Sequence, residues 1–231
     1  MAKGPSTKTE YVYDNLRREI LSGALKPDQR LRLGELASRY ATSEMPVREA
    51  LRMLHRDGLI IMHNHRGAMV SKLSAERAAE YVEVRMLLET YAASSSTPFH
   101  TDESIAKLRQ IQERMENAVE AGQSGKFRQL NRELHEAIYA PCPNSVLKST
   151  LEELWDQVWR ARSESIFDAD SKRMTGALAE HAAIVKAIAS RDPAKVDVAM
   201  NNHRQHTLKA SGRVVEQSRA QDEREHDPEE V

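Results

Sequence analysis

Asn131 and His135 stand four residues apart in the segment NRELH, His181 falls in EHAAIVKAI, and His203 lies in NNHRQH. Residues four apart share one face of a helix. Three imidazoles and one amide oxygen, drawn from three helices, make a chemically sensible ligand set for a divalent cation. Coordination positions remain for water or a bound molecule. Spacing alone leaves two readings open, because histidines scattered over helices are usually surface residues or satisfied core residues. His206, three residues after His203, is a fallback ligand on the same argument.

The elements that must hold these side chains carry no strand signal from residue 75 onward. Ser74 is placed to cap a helix with Glu76 in its first turn. That helix, Ala75–Ser96, has Tyr81, Val84, Leu87, Leu88 and Tyr91 as its apolar stripe. Residues 102–121 repeat the pattern with Ile105, Leu108, Ile111, Met115 and Val119. A helix over 126–139 is ended by the Pro141/Pro143 pair, and Val146, Leu151, Leu154, Trp155, Val158 and Trp159 mark another over 145–167. Residues 174–190 follow. Asp192-Pro193 then starts a last helix reaching about Val215, with aspartate as N-cap and proline in the first turn. Six helices with short connections predict an all-α antiparallel bundle over 75–218. Residues 219–231, polar and without apolar periodicity, are expected to be disordered.

The front of the chain has a different texture. Tyr11, Val12, Leu16, Ile20 and Leu21 predict a helix over 9–22, behind a mobile arm at 1–8. Leu33, Leu36, Ala37 and Tyr40 predict a short helix that Ala41-Thr42 breaks. Ser43 has the side-chain oxygen wanted at an N-cap, and Pro46 falls where a missing N–H costs nothing. Val47, Ala50, Leu51 and Leu54 form the stripe of this second helix, leaving Arg48, Arg52 and Arg56 on other faces. Gly58 ends it. Two short strands, 59–62 and 68–71, are joined by residues 63–67. Two helices with a tight turn and then a basic hairpin make a winged helix-turn-helix domain over residues 1–74.

The 231 residues suffice for one large domain or two modest ones. Residues 1–75 carry 13 Lys/Arg against 8 Asp/Glu, whereas residues 76–231 carry 21 against 27. A basic small domain ahead of an acidic larger one fits nucleic acid at the front and another task behind. The single cysteine, Cys142, excludes an intramolecular disulfide framework and suits the cytoplasm. No apolar run approaches a membrane span and no signal peptide precedes the fold, so a cytoplasmic protein is expected.

SEMPVREAL (43–51), the Gly58-Leu59 pair and a wing ending in Gly67 resemble the DNA-binding domain of GntR-family transcription regulators. ILSGALKPDQRL (20–31) is similar to that family's entry segment, with Asp28 where glycine is usual. The resemblance implies a homodimer on a palindromic double-stranded DNA operator. Arg48 and Arg52 would contact phosphates or base edges, with Ser43, Glu44 and Met45 at the helix's leading end. Arg32 would hold the backbone, and Arg66 and Gly67 would place the wing. Glu44 stands where the family commonly has arginine. It either accepts from a cytosine amino group or sits as a helix-start acid against the dipole.

The helical remainder resembles the FCD ligand-binding bundle of the FadR-type branch, in which an aspartate-x3-histidine pair and two further histidines bind metal. Asn131 and His135 match the pair with asparagine for aspartate, and His181 and His203 match the others, which implies a divalent Zn, Ni or Mn ion held more weakly. EVRMLLE (83–89) resembles the first bundle helix, whose arginine, here Arg85, would meet the carboxylate of a small organic acid effector. The competing reading of Arg85 is a surface ion pair with Glu89. Arg160 and Arg162, beside Trp159, either line the same cavity or are solvated. The function implied is a ligand-responsive regulator, a repressor, and not an enzyme. Its rivals are a ligand-independent dimeric regulator and a metal-dependent hydrolase, for which Glu136 or Glu180 is the local candidate base.

Overall fold

A computed structural model of the chain describes residues 7–63, 67–160, 166–169 and 171–225. The chain divides into two units, Met1–Leu73 and Ser74–Val231, each with its own apolar core.

In the first unit, α1 (Lys8–Ser22) starts from a capping box between Thr7 and Glu10 and stops at Gly23, whose φ of 72° is left-handed. Its buried side, Val12, Leu16 and Ile20, packs on α3 (Glu44–Arg56), which contributes Val47, Ala50, Leu51 and Leu54. Between them lies α2 (Leu33–Arg39). The turn from α2 to α3 passes through Ala41 at φ 47°, a left-handed conformation that is strained for a residue with a Cβ. Ser43 is the N-cap of α3, but its hydroxyl makes no capping hydrogen bond.

The wing is a three-stranded antiparallel sheet in the order β1 (Arg30–Leu31), β3 (Gly67–Val70), β2 (Ile60–His63). Gly67 pairs with His63 at the start of β3. Arg66 lies outside the described residues. The edge strand β1 is absent from the sequence reading because two residues cannot display a period of two. Asp28 adopts φ 63° just before it, and its N–H donates to the Val70 carbonyl at 3.0 Å. A left-handed residue at this bend accounts for the glycine that is usual there, and aspartate is among the side chains that tolerate it.

The second unit is a helical bundle: α4 (Ala75–Ser96), a 3₁₀ turn (Thr97–Phe99), α5 (Asp102–Glu120), α6 (Ser124–Tyr139), α7 (Ser145–Arg160), α8 (Ile166–Ala169), α9 (Ser171–Ala189) and α10 (Pro193–Glu225). Ser74 caps α4 by accepting from the Arg77 N–H, and Asp192 caps α10 by accepting from the Ala194 N–H. α10 packs along α4 and α9, α5 along α6 and α9, and α4 along α7. Leu108, Ile111, Met115, Phe127, Leu130, Leu134, Ile184 and Ile188 are the heart of its core. No helix among the described residues is long and apolar enough to cross a membrane.

Two expectations are corrected here, and a third falls partly on residues outside the described set. Three residues of the expected α4 stripe face outward: Val84, Leu87 and Tyr91 are 48%, 49% and 64% exposed, while Leu88 packs on the Tyr139–Trp155 cluster and Val82, Arg85, Met86 and Glu89 are buried. The helix's inner face mixes Val82, Met86, Ala92 and Ala93 with two charges that neutralise each other, so the larger apolar positions alone do not mark it. The helix expected over 145–167 appears as α7 to Arg160 and as α8 from Ile166, and its residues 161–165 lie outside the described residues. Residues 219–225 of the tail expected to be disordered instead continue α10 to Glu225, with Arg219 Nε donating to Glu76 Oε1 at 2.9 Å, and residues 226–231 lie outside the described residues. Lack of apolar periodicity fits the exposure of Arg219, Ala220, Gln221 and Arg224 and does not exclude a helix. Its Ala, Gln, Arg and Glu residues are good helix formers.

Candidate metal and effector site

His135 on α6, His181 on α9 and His203 on α10 are 1%, 0% and 3% exposed. One ring nitrogen of each lies within 4.8 Å of the others. α6 meets the consecutive helices α9 and α10 here because Leu134 and Ile138 of α6, Ile184 and Ile188 of α9 and Met200 of α10 pack into one core. Asn131, one turn before His135, lines the same cavity.

The hydrogen bonding of this cluster is incomplete. Both nitrogens of His181, Nε2 of His135 and Oδ1 of Asn131 are buried without a hydrogen-bond partner. Each such atom costs on the order of 1–3 kcal/mol, and one nitrogen from each of the three rings, with the Asn131 oxygen beside them, is a donor set a cation would satisfy. Burial holds the His181 imidazole well below its ordinary pKa, and it pushes His203 down to about 4 despite the hydrogen bond to Glu180. Both rings are therefore neutral near pH 7, the form in which imidazole ligates metal.

A carboxylate orients one of them. His203 Nδ1 donates to Glu180 Oε2 at 2.6 Å, which turns Nε2 toward the other two rings. Glu180 also receives Arg173 Nη1 and Nη2, at 2.9 and 2.7 Å, and the exposed His206 Nδ1 at 2.8 Å. Burial would raise the Glu180 carboxyl, but these donors outweigh it and hold it at about 2. His206 thus sits outside the cluster. Sequence reasoning considered Glu180 only as a base; its position directly before His181 was the available signal.

Arg85 forms the other half of the site. It is buried, and its guanidinium carbon lies 3.7 Å from the centroid of the Trp155 ring. Nη1 donates to Glu89 Oε1 at 3.2 Å, and Nε has no partner. The ion pair with Glu89 therefore exists, but inside the bundle and not at its surface. Glu89 is fully buried, and its Oε2 lies 3.1 Å from His135 Nδ1. That approach lacks hydrogen-bond geometry, since neither atom has a hydrogen-bond partner. Burial works to raise the Glu89 carboxyl, yet Arg85 and then His135 hold it at about 2. The cavity that joins the two halves is walled by Val82, Trp155, Val158, Trp159 and Phe167, with Thr207 and Ser211 from α10. Arg128 also lines it, over the Trp159 ring, and was not anticipated. The side chain of Arg160 and all of Arg162 lie outside the described residues.

In the first unit, the outer face of α3 presents Glu44, Met45, Arg48 and Arg52, with Met45 66% exposed. Each described arginine expected to touch DNA is paired with a nearby acid: Arg48 with Glu44 at 3.8 Å, Arg52 with Glu49 at 2.8 Å and Arg32 with Glu35 at 2.9 Å. Exposed pairs of this kind are worth at most about 1 kcal/mol, so a phosphate can displace the carboxylate cheaply.

Residues 8–70 match the bacterial regulatory proteins of the gntR family, and residues 80–206 match the FCD domain. The chain belongs to the GntR family, in the branch that carries an FCD domain. It is 28% identical over 196 residues to the HTH-type transcriptional repressor RspR of Escherichia coli, covering 85% of each protein. It is 27% identical over 184 residues to the gluconate operon transcriptional repressor of Bacillus licheniformis, covering 77% of this chain and 74% of that one. The fold is that of E. coli McbR/YncC, with a TM-score of 0.74 at 22% identity over 90% of this chain and 99% of that structure. This GntR chain is accordingly a DNA-binding transcription regulator and not an enzyme. The hydrolase reading falls with that, and its candidate bases are otherwise engaged: Glu136 accepts from Arg132 Nε at 2.7 Å, and Glu180 is held by Arg173, His203 and His206.

Proposed function

We propose that this GntR regulator is a homodimeric cytoplasmic repressor. A small organic acid, bound beside a divalent zinc, nickel or manganese ion, sets its affinity for a palindromic operator. The carrying observation is a cluster of three buried histidines, two of which, His135 and His203, line one cavity together with the buried Arg85. His135, His181, His203 and Asn131 would hold the ion, whose contribution is a Lewis-acid position for a carboxylate oxygen. Arg85, clamped flat on Trp155, offers its guanidinium edge to the same carboxylate. The apolar walls exclude water and keep that pairing strong. Two relatives named as repressors support the sign, and one is named for the operon of gluconate, itself a carboxylate.

Ser43, Glu44, Met45, Arg48 and Arg52 would meet the major groove, Arg32 the backbone, and Arg66 and Gly67 an adjacent groove. The outward stripe of α4 supplies the dimer face. Val84, Leu87 and Tyr91 form an apolar surface on the same helix that carries Arg85, so effector and dimer geometry share one element. Leu87→Glu is expected to convert a dimer into a monomer in sedimentation; an unchanged mass would move the interface elsewhere.

The effector reading is tested by gel shift with zinc-loaded protein and a panel of hydroxy acids and sugar acids. One of them should weaken operator binding by roughly 5–150-fold, the usual span of allosteric coupling. Arg85→Met should keep operator binding and lose the response. A panel without effect, or a variant that responds like wild type, would overturn the reading.

A further inference from the structure

Glu89 reaches both halves of the cavity. Its Oε1 accepts from Arg85 Nη1 at 3.2 Å, and its Oε2, which has no hydrogen-bond partner, lies 3.1 Å from His135 Nδ1. It is completely buried, four residues from Arg85 on α4. The donor set around the histidines is three imidazoles and an amide, which carry no charge. A divalent cation taken out of water into such a place is strongly disfavoured unless an anion accompanies it. Glu180 does not serve, because Arg173, His203 and His206 take up both of its oxygens. Glu89 has an unsatisfied oxygen directed at the cluster.

Resting on the metal reading above, we propose that Glu89 is the anionic group of the metal site and that Arg85 competes with the ion for it. Oε2 compensates the cation's charge beside His135, while Oε1 keeps the guanidinium on Trp155. The acid therefore links the metal to the residue that meets the effector's carboxylate. A cation near Oε2 draws charge from Oε1 and loosens its hold on Arg85, so an incoming carboxylate finds the guanidinium more available. This role is absent from the sequence signature of the site, since Glu89 lies 42 residues before Asn131 in the chain.

The test uses the full chain stripped of metal and titrated with Zn²⁺ alone against a chromophoric chelator. Wild type, Glu89→Gln, Arg85→Gln, the Arg85→Gln/Glu89→Gln double variant and His135→Ala are compared. Glu89→Gln should weaken Zn²⁺ binding by roughly 10–100-fold, the usual cost of losing a carboxylate behind a metal-bound histidine. Arg85→Gln should bind Zn²⁺ more tightly than wild type, because a repelling cation is gone. A merely structural salt bridge would not produce that gain. If Glu89→Gln leaves Arg85 uncompensated and fails to fold, the double variant, which buries no net charge, decides: it should bind as weakly as the loss of Glu89 dictates. Zn²⁺ affinity within threefold of wild type in both Glu89 variants, with binding lost in His135→Ala, would overturn the role of Glu89 and leave the histidine site standing. A wild type that takes up no Zn²⁺ would overturn the metal site and this role together.

Discussion

His135→Ala should strip the regulator of its metal. Wild type purified gently is expected to hold about one divalent ion per chain by elemental analysis, and the variant little. The three imidazoles come from three helices, with ligand atoms within 4.8 Å, and none of the three rings is more than 3% exposed. Removing a carboxylate behind a metal-bound histidine costs roughly 10–100-fold, and deleting the imidazole itself should exceed that. The effect is not confined to affinity. The His135 ring also stacks edge-on against Trp155 at 5.5 Å, and Trp155 supports Arg85, so truncation loosens both halves of the cavity. Metal content equal to wild type in His135→Ala would remove His135 from the ligand set. A metal-free wild type that also refuses metal on titration would leave a pocket that works through Arg85 alone.

Arg48→Ala should lower operator affinity by roughly 10–100-fold, the consequence of losing a contact worth about 1–3 kcal/mol. Arg48 projects from the exposed face of α3, one turn after Glu44 and seven residues after Ala41, where the chain bends between the two helices. Its surface ion pair with Glu44, at 3.8 Å, contributes little to folding, so the thermal melt should barely move. Measuring the variant across salt concentrations separates two roles. A phosphate contact shows as a salt slope shallower by about one, with affinity falling on all sequences alike; a base contact shows as a relaxed preference at one operator position. Binding equal to wild type at every salt concentration would sink the assignment of α3 as the recognition helix.

The DNA-binding unit was legible in the sequence because its signals are local. Val47, Ala50, Leu51 and Leu54 state the buried face of α3, and Ala41-Thr42 and Ser43 state the turn before it, all within about one dozen residues. Even here the edge strand β1 escaped, since Arg30 and Leu31 acquire strand character only by pairing with Met69 and Ala68 some forty residues later. In the bundle, the caps at Ser74 and Asp192 and most helix bounds were likewise readable from neighbours in the chain.

The candidate site divides along the same line. Residue types and spacing nominated Asn131, His135, His181 and His203, because few side chains ligate metal, and the family resemblance of EVRMLLE nominated Arg85. That the three rings meet, that Glu180 orients His203, and that Glu89 stands between Arg85 and His135 was decided by tertiary packing alone. The inward face of α4 shows why. Hydrophobic periodicity reports where apolar side chains lie on a helix, not whether core or partner will cover them. On α4 Val84, Leu87 and Tyr91 face out, while a neutralised charge pair faces in beside Val82 and Met86. A buried ion pair is stable only when its neighbours complete it, and those neighbours, Trp155 and His135, belong to helices that the local sequence of α4 does not contain.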